Sequence, residues 1–244
     1  MNEYLISWYE DSLISTSSLS PKKNRRKKKK EFVLNIEALF HSDLYGPKPK
    51  VFSTPLPGLK QYLGKLPDRL VPFNVAYANK DYNCTVHFFI DDSLFIRVLR
   101  NPEKYVDFFK KCHSVIGTDL SQYADMSAED RYYCHYINRA FSAFLQKNGV
   151  KLIANVTWSL PDSYYYCWSS LPTNSIIAIN CKGVMQHDVS MYLWMKGYAE
   201  ACKALRPSLI IRYGSKMPGE SERNSIYFEN ERLNYLRYGR KRKF

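Results

Sequence analysis

Three acidic residues give this sequence its best candidate for catalytic chemistry. Asp119 and Asp125 belong to a polar loop that also holds Ser121 and Tyr123, and Asp92 follows another apolar stretch upstream. Paired carboxylates can act as general acid and base, or they can bind a divalent cation. Hydrolysis of a glycosidic or phosphodiester bond needs such a pair, because one group sheds a proton while the other holds charge. The three residues are therefore candidates for a hydrolase site.

A purely structural role explains the same loop. Asp and Ser are common turn formers, so Asp119 and Ser121 could cap the turn after a strand. Asp125 could form a salt bridge with Arg131 or Arg139. The sequence leaves both interpretations open and favours the structural one.

Other motifs for catalysis or ligand binding are absent from the sequence. The five histidines show no H-x-x-x-H or H-E-x-x-H spacing, so no zinc site is predicted. Neither a phosphate-binding glycine loop nor a dinucleotide fingerprint occurs, and Ser159 lacks the glycine-flanked turn of serine hydrolases. We expect no metal or cofactor, and a divalent cation only if the carboxylate pair is catalytic.

The stretch from Val115 to Ser159 positions this loop, and its pattern is strand, loop, long helix, turn and strand. Ser127 and Asp130 form the [ST]-x-x-[DE] pattern that begins a helix, and Gly149 is a suitable end for it. Between them, apolar residues recur at helical spacing: Tyr133, Ile137, Ala140, Phe141, Phe144 and Leu145. Two strands joined by such a helix predict a right-handed parallel unit.

Further apolar segments predict that this unit is repeated. Strands are expected at Val71–Tyr77, Cys84–Ile90, Ser114–Thr118, Lys151–Trp158, Ser175–Asn180 and Leu209–Tyr213. Helices are expected after Asn101-Pro102-Glu103, over Asp188–Leu205, around Phe32–Phe40 and near Tyr164–Trp168. Five to six strands alternating with helices predict an α/β fold with a mostly parallel sheet. An incomplete β/α barrel and an open doubly wound sheet both fit this order.

Ligands bind at the carboxyl ends of the strands in both architectures. The predicted strand ends bring together Asp91, Asp92, Asp119, Trp158, Ser159, Asn180 and Tyr213. Together with Ser121, Tyr123 and Arg139, they form the pocket that the sequence predicts.

The charge of the chain favours a polyanionic partner. Formal net charge is +13 over 244 residues, and two segments hold many of the cations. We expect both segments to contact phosphates of nucleic acid, DNA rather than RNA, and residues 1–30 to form a disordered arm. The cations are Lys22, Lys23, Arg25, Arg26, Lys27, Lys28, Lys29 and Lys30 in the first segment and Arg237, Arg240, Lys241, Arg242 and Lys243 in the second. A solvated tail or a localisation-like signal is the alternative for the arm.

Aromatic residues make up 15% of the chain, and residues 225–244 interleave them with cations. This mixture suits single-stranded nucleic acid, because bases stack on rings while Lys and Arg contact phosphates. The same segment could instead pack on the core through Ile226, Phe228, Leu233 and Leu236.

Composition divides the chain into a basic arm (1–30), an irregular Pro-rich lead-in (31–70), an α/β core (71–214) and a basic C-terminal extension (215–244). No signal peptide and no membrane insertion are predicted. The six cysteines never form C-x-x-C, so we expect reduced thiols and a cytoplasmic protein. The oligomeric state stays open.

Five pieces of the core, in order, carry a family resemblance. They are Asn101-Pro102 with Tyr105, then Asp119-x-Ser121-x-Tyr123-x-Asp125, then Asn138-Arg139 with Gln146 and Gly149, then Val156-x-Trp158-Ser159, and finally Tyr213-Gly214. Over about Phe73 to Gly214 the sequence resembles an uncharacterised domain-of-unknown-function family of phages, plasmids and other bacterial mobile elements. The resemblance implies a shared fold and origin, and for a phage protein the host cytoplasm, but it implies no activity.

Charge and resemblance together favour a non-enzymatic nucleic-acid-binding protein of a phage or mobile element. Such a protein would act in DNA replication or packaging through its basic arm and tail. The first alternative is a hydrolase with a carboxylate pair at the strand ends of a barrel-like core. The second is a basic structural protein of a virion.

Overall fold

The computed structural model describes residues 34–49, 56–184, 188–217 and 224–229. The predicted basic arm (1–30) and the cations from Arg237 to Lys243 lie outside the described residues. The Pro-rich lead-in, where it is described, holds only a 3-10 turn at Glu37–Leu39 and the short helix α1 at Ser42–Tyr45.

Seven parallel strands form the sheet, and each pairs with the next strand along the chain. They are β1 (Leu70–Pro72), β2 (Thr85–His87), β3 (Ser114–Ile116), β4 (Leu152–Asn155), β5 (Ile176–Asn180), β6 (Leu209–Tyr213) and β7 (Ser225–Phe228). This order confirms the predicted α/β fold and identifies a β/α half-barrel, because a doubly wound sheet reverses its strand order in the middle.

Six helices follow in the connections between strands. They are α2 (Phe73–Asn79), α3 (Asp92–Arg100), α4 (Glu103–Lys111), α5 (Ala128–Lys147), α6 (Tyr164–Cys167) and α7 (Asp188–Leu205). A 3-10 turn at Pro161–Ser163 leads into α6. None of the helices in the described part of the chain is long and apolar enough to cross a membrane.

The longest helix, α5, begins as its sequence predicts. The Ser127 hydroxyl accepts a hydrogen bond from the Asp130 backbone N–H at 3.0 Å and donates to the Asp130 carboxylate at 2.9 Å. After the helix, Gly149 adopts a positive φ of 80°. Gly117 lies under the helix, where an added Cβ would come within 2.7 Å of the Ser142 hydroxyl oxygen. A glycine at this position therefore lets α5 lie close to the end of β3.

The sheet has two different faces because side chains alternate along each strand. One face packs against the helices and contains a large aromatic cluster that includes Phe73, Phe88 and Phe141. The concave face is apolar at its centre, where Ile116 and Ile153 are fully buried. At the carboxyl ends the concave face becomes polar, with His87, Asn155 and Asn180 as the last residues of their strands.

Two predicted strands are wrong in part. Only Leu70–Pro72 is a strand in the segment predicted from Val71 to Tyr77, and a helix begins at Phe73. The reason is packing, because Phe73 stacks on Phe88 with ring centroids 5.4 Å apart and meets Tyr105 edge-on. The strand predicted at Cys84–Ile90 ends at His87, and the helix α3 that follows was not predicted.

The helix expected around Phe32–Phe40 is not found: residues 32–33 lie outside the described residues, and the rest forms only the 3-10 turn at Glu37–Leu39. The other predicted elements agree more closely with the structure. Asp188–Leu205 and Leu209–Tyr213 have the predicted bounds, whereas β3 and β4 are shorter than predicted. The seventh strand was not predicted, and it lies in the expected C-terminal extension. Ile226 and Phe228 pack against the concave face, as the packing alternative for this segment proposed, whereas Leu233 and Leu236 lie outside the described residues.

Candidate functional site

A cavity of about 440 Å³ opens at the carboxyl ends of β3, β4 and β5. Its walls come from the loops after these three strands and from α7. Six predicted site residues line it: Asp119, Ser121, Tyr123, Trp158, Ser159 and Asn180. These six residues thus lie together at the carboxyl ends of parallel strands, where ligand sites of such folds are expected.

Asp119 lies between two amide side chains that the neighbouring strands supply. Asn155 Nδ2 donates a hydrogen bond to Asp119 Oδ1 at 3.2 Å, and Asn180 Nδ2 donates to Oδ2 at 3.0 Å. Burial raises the pKa of Asp119, while the two amides and the charge of Lys182 oppose the rise. The half-barrel thus holds one carboxylate in a fixed orientation at the cavity wall.

Lys182 is the cation of the cavity. Its backbone N–H donates to Asn180 Oδ1 at 2.8 Å, and its ammonium donates to the Phe89 carbonyl at 3.3 Å. These bonds connect the loop after β5 with the segment after β2, which is distant in sequence. Sequence analysis did not identify Lys182 or Asn155, although each stands at or within two residues of a strand end.

Asp92 is a second carboxylate close to the cavity, although it does not line it. It is the first residue of α3, and both its oxygens accept from the Ser121 backbone N–H at 3.3 Å. Burial raises the pKa of Asp92 to about 6, the hydrogen bonds from Ser121 oppose the rise, and the charges of Asp119 and Asp91 add to it. Asp92 and Asp119 therefore influence each other, although only Asp119 lines the cavity.

The other predicted acidic residues have different surroundings. Asp91 caps α3, since its Oδ1 accepts from the Ser93 backbone N–H at 3.0 Å. Asp125 is exposed and does not line the cavity. Arg131, a suggested partner of Asp125, instead donates to Asp162 at 2.7 Å.

Tyr123 lies on a loop that several backbone contacts hold in place. Tyr123 is 63% exposed and lies at the rim of the cavity. Arg131 donates to the Met126 carbonyl at 2.6 Å, and the Met126 backbone N–H donates to the Tyr123 carbonyl at 3.2 Å. The result is an exposed aromatic ring on a well-anchored loop.

Trp158 forms part of the cavity wall and packs on α7. Its ring lies over Gly197, where an added Cβ would overlap the indole nitrogen. The ring centroids of Trp158 and Trp194 are 5.7 Å apart, and both residues line the cavity. The neighbouring Ser159 donates its backbone N–H to the Ser163 hydroxyl at 3.3 Å.

Two predicted pocket residues have structural surroundings instead. Arg139 is buried, and its guanidinium donates to the Ser169 and Cys167 carbonyls at 2.7 and 3.0 Å. Tyr213 packs on the concave face, with its ring centroid 4.5 Å from that of His87. Neither lines the cavity.

His87 is a fully buried histidine at the end of β2 that sequence analysis did not single out. Its Nδ1 accepts from the Phe89 backbone N–H at 3.1 Å, so the proton of the neutral ring is on Nε2. That N–H has no hydrogen-bond partner among the described residues. Burial, together with the charge of Lys182, lowers the pKa of His87 to about 3.

Within residues 34–49, 56–184, 188–217 and 224–229, no three His, Cys, Asp or Glu side chains come together in a way that could hold a metal ion. The cysteines of this part of the chain form no disulfide bonds with one another. The groups available to a ligand in the cavity are therefore a carboxylate, an ammonium, amides, hydroxyls and aromatic rings.

The model of one protein family, DUF4417, a domain of unknown function, matches residues 49–230. The chain is 28% identical to the Gene 1 protein of Mycobacterium phage L5 over 144 residues, which is 59% of this chain and 62% of that protein. It is 26% identical to the Gene 1 protein of Mycobacterium phage D29 over 156 residues, which is 61% of this chain and 58% of that protein. The chain thus spans about 60% of the length of these curated relatives. No solved structure matches it.

Proposed function

We propose a nucleic-acid-binding function for this chain, which belongs to the DUF4417 family of unknown function and is related to phage proteins. Its cationic terminal segments would bind DNA rather than RNA, in replication or packaging of a phage genome. The distribution of charge along the chain supports this proposal. The described residues hold 20 Lys and Arg against 16 Asp and Glu, so they account for +4 of the total +13.

Most of the excess charge lies in two short segments. Residues 22–30 hold eight Lys and Arg, and residues 237–243 hold five. Each cation that neutralises a phosphate releases a counterion, and this release drives association at low salt. A short segment with so many cations and few apolar residues has little else to bury, so phosphates are its natural partners.

The proposal predicts how steeply the affinity for DNA falls as the salt concentration rises. With a slope of about −0.9 in log affinity against log salt per phosphate on duplex DNA, eight contacts give a slope of about −7. Thirteen contacts, with both segments engaged, give about −12. Removal of the N-terminal cations should therefore leave a slope of about −5.

The experiment compares three full-length proteins on labelled single- and double-stranded DNA, and on RNA of the same sequence, across a salt series. One is unchanged, one has all eight cations of residues 22–30 replaced by Gln, and a control has Lys104, Lys110 and Lys111 replaced by Gln. The control cations are exposed on α4 in the described core. A steep slope that falls only in the first variant supports the proposal. A shallow slope in the unchanged protein, or tighter binding to RNA, would overturn it.

One observation favours a second candidate function, hydrolysis. Asp119 lines a cavity, and Asp92 lies near enough to couple with it electrostatically while burial raises the pKa of both. Carboxyl groups in such surroundings can keep a proton near neutral pH and act as general acids. A labelled oligonucleotide incubated with Mg²⁺ tests this candidate. Cleavage should disappear in Asp119→Asn and persist in Asp125→Asn, and an absence of cleavage by the unchanged protein would exclude phosphodiester hydrolysis.

A role as a basic structural protein of a virion would use the same terminal cations. Detection of the chain in purified particles, at a copy number typical of structural proteins, would favour this role. Its absence from particles would leave replication or packaging as the setting for DNA binding.

A further inference from the structure

We propose that the cavity beside Asp119 binds a single unpaired base of a nucleotide and prefers guanine. The inference rests on the proposed nucleic-acid-binding function for its context, and it assigns base recognition to the core and phosphate binding to the terminal segments. The observations that carry it are the size of the cavity, its aromatic residues, and the pattern of donors and acceptors around Asp119.

The dimensions of the cavity suit one nucleotide. Its volume of about 440 Å³ lies within the range of about 300–1,000 Å³ that is typical of small-molecule sites. One base with its sugar fits such a space, whereas a base pair within a duplex does not. A base must therefore be unpaired or turned out of its helix before it can enter.

Aromatic side chains supply surfaces for a base. Trp158 lines the wall, and Tyr123 is exposed at the rim on its anchored loop. Trp194 completes the wall but is only 6% exposed, because its ring stacks on Tyr198 and lies against the Arg212 guanidinium. Stacking of bases on aromatic rings contributes about 1–3 kcal/mol per base in proteins that bind single strands. An exposed tyrosine beside a cavity with two tryptophans is thus a suitable entrance for a base.

The carboxylate of Asp119 can discriminate between the bases. An ionised carboxylate has about four lone-pair positions, two on each oxygen. Asn155 occupies one position on Oδ1, and Asn180 occupies one on Oδ2, so each oxygen can accept one more hydrogen bond. Guanine presents two adjacent donors, N1–H and N2–H, on its pairing edge. Adenine, cytosine and thymine have no two adjacent donors on that edge, so among the four bases guanine alone makes both bonds.

Two further groups complement the same base. Gln122 lines the cavity and donates through Nε2 to the Thr157 hydroxyl at 3.1 Å, while its buried Oε1 has no donor among the described residues. An unpaired buried acceptor costs about 1–3 kcal/mol, and a turn of the Gln122 amide toward the cavity would let a ligand N–H pair with it. Lys182 uses one ammonium N–H for the Phe89 carbonyl, and an ammonium has three, so it can also donate to guanine O6 or to a phosphate.

Direct titration of the full-length protein tests the proposal. The probes are the four 5′-deoxynucleoside monophosphates, deoxyinosine monophosphate, and N-acetylglucosamine as a neutral sugar, with binding measured by calorimetry and by tryptophan fluorescence. The guanine nucleotide should bind, and each of the other three natural nucleotides should bind about tenfold or more weakly. Deoxyinosine monophosphate lacks the N2 amino group, so its binding should be about tenfold weaker too.

Matched variants assign the effect to Asp119. Asp119→Asn should weaken binding of the guanine nucleotide by about tenfold or more, because an amide offers only one acceptor oxygen. Asp125→Asn makes the same chemical change in the same loop but outside the cavity, so it should bind like the unchanged protein. Lys182→Gln provides a second variant if Asp119→Asn lowers the melting temperature.

The outcomes separate this inference from the proposed function. Equal binding of all four nucleotides, binding of the sugar alone, or no nucleotide binding by a folded protein would overturn the guanine site. Guanine nucleotide binding in a protein that fails to bind DNA would support the site and overturn the proposed function. Salt-sensitive DNA binding without any nucleotide binding would support the proposed function and reject the site.

Discussion

Replacement of His87 with Phe should make the protein less sensitive to acid. The imidazole is fully buried and neutral, with its Nδ1 accepting the Phe89 backbone N–H. Burial and the charge of Lys182 lower its pKa from 6.5 to about 3. Between these two pH values the unfolded chain binds a proton at this position and the native protein does not.

The sign and size of the effect follow from this difference. A pKa that is lowered in the native state contributes stability that is present above pH 6.5 and is lost as the pH falls toward 3. At about 1.4 kcal/mol per pKa unit, the complete loss is about 5 kcal/mol, of which about 3 kcal/mol is already lost at pH 4. His135 is buried with a pKa lowered to about 3 as well, so the unchanged protein loses stability through both rings.

Urea unfolding at pH 7 and pH 4 measures the prediction. The His87→Phe variant should lose about 3 kcal/mol less unfolding free energy between the two pH values than the unchanged protein. At pH 7 the two proteins should be similar, because the variant removes the unpaired Nε2–H but also removes the acceptor of the Phe89 N–H. Phenylalanine retains an aromatic ring beside Tyr213.

A change without a titrating group serves as the control. Phe89 is buried and packs on the rings of His87 and Tyr213. Phe89→Leu should therefore lower the unfolding free energy by the same amount at pH 7 and at pH 4. If His87→Phe lost as much stability on acidification as the unchanged protein, His87 could not be the source of the acid sensitivity. That result would mean that His87 is already protonated or accessible to water in the native state.

Three other substitutions test separate contacts. Burial raises the pKa of Asp92 from 3.8 to about 6, so the native protein loses stability as the pH rises between these two values. Asp92→Asn should therefore add up to about 3 kcal/mol to the unfolding free energy at pH 7 but nothing below pH 4. Thermal unfolding at both pH values measures it, and an equal gain at both would contradict the cause. Gly197→Ala should lower the unfolding free energy by about 1–3 kcal/mol and shift the tryptophan fluorescence emission, because the new methyl group displaces Trp158. Unchanged emission would contradict this prediction. Arg131→Lys keeps the charge, but a lysine cannot donate to Asp162 and to the Met126 carbonyl at the same time in the way that the guanidinium does. Limited proteolysis should therefore cut the loop after β3 faster in this variant. An unchanged rate of cutting would mean that Arg131 does not hold the loop in place.

Elements with strong local signals were predictable from the sequence. The helix α5 has a hydroxyl and a carboxylate at its start, and its apolar residues recur at helical spacing, so local interactions alone define it. The same holds for Asp188–Leu205, whose predicted bounds agree with the structure. Short apolar segments carry less information, because three to seven residues cannot distinguish a strand from a buried helix by periodicity.

The segment after β1 illustrates this limit. Residues 73–77 have a strand-like composition, yet they form a helix because Phe73 packs against Phe88 and Tyr105, which come later in the chain. Tertiary packing overrides local preference at such positions. The seventh strand is similar, since its four residues are only half-buried and show little hydrophobic alternation.

The candidate site was predictable as far as strand ends can be identified from sequence. Asp119, Trp158 and Asn180 follow or end apolar segments, and the structure brings them to one cavity. Lys182 was missed because its partner, the Phe89 carbonyl, is 93 residues away in sequence. Such a contact depends on how the half-barrel curves, and the sequence left barrel and open sheet as equal alternatives.

The charge balance of the cavity also constrains how it could act with the terminal segments. Asp119 is stabilised by two neutral amides and not by an arginine, and Lys182 is the one cation among the cavity-lining residues that the structure describes. With Asp119 ionised, as the guanine site requires, their charges cancel, so the cavity adds little to the attraction of a polyanion. Nucleotide binding there should therefore depend weakly on salt, whereas binding of DNA through residues 22–30 should depend steeply on it. If both bindings showed the same steep slope, the division of base recognition and phosphate binding between core and termini would be wrong, because the nucleotide would then be held by the same cations as the polymer.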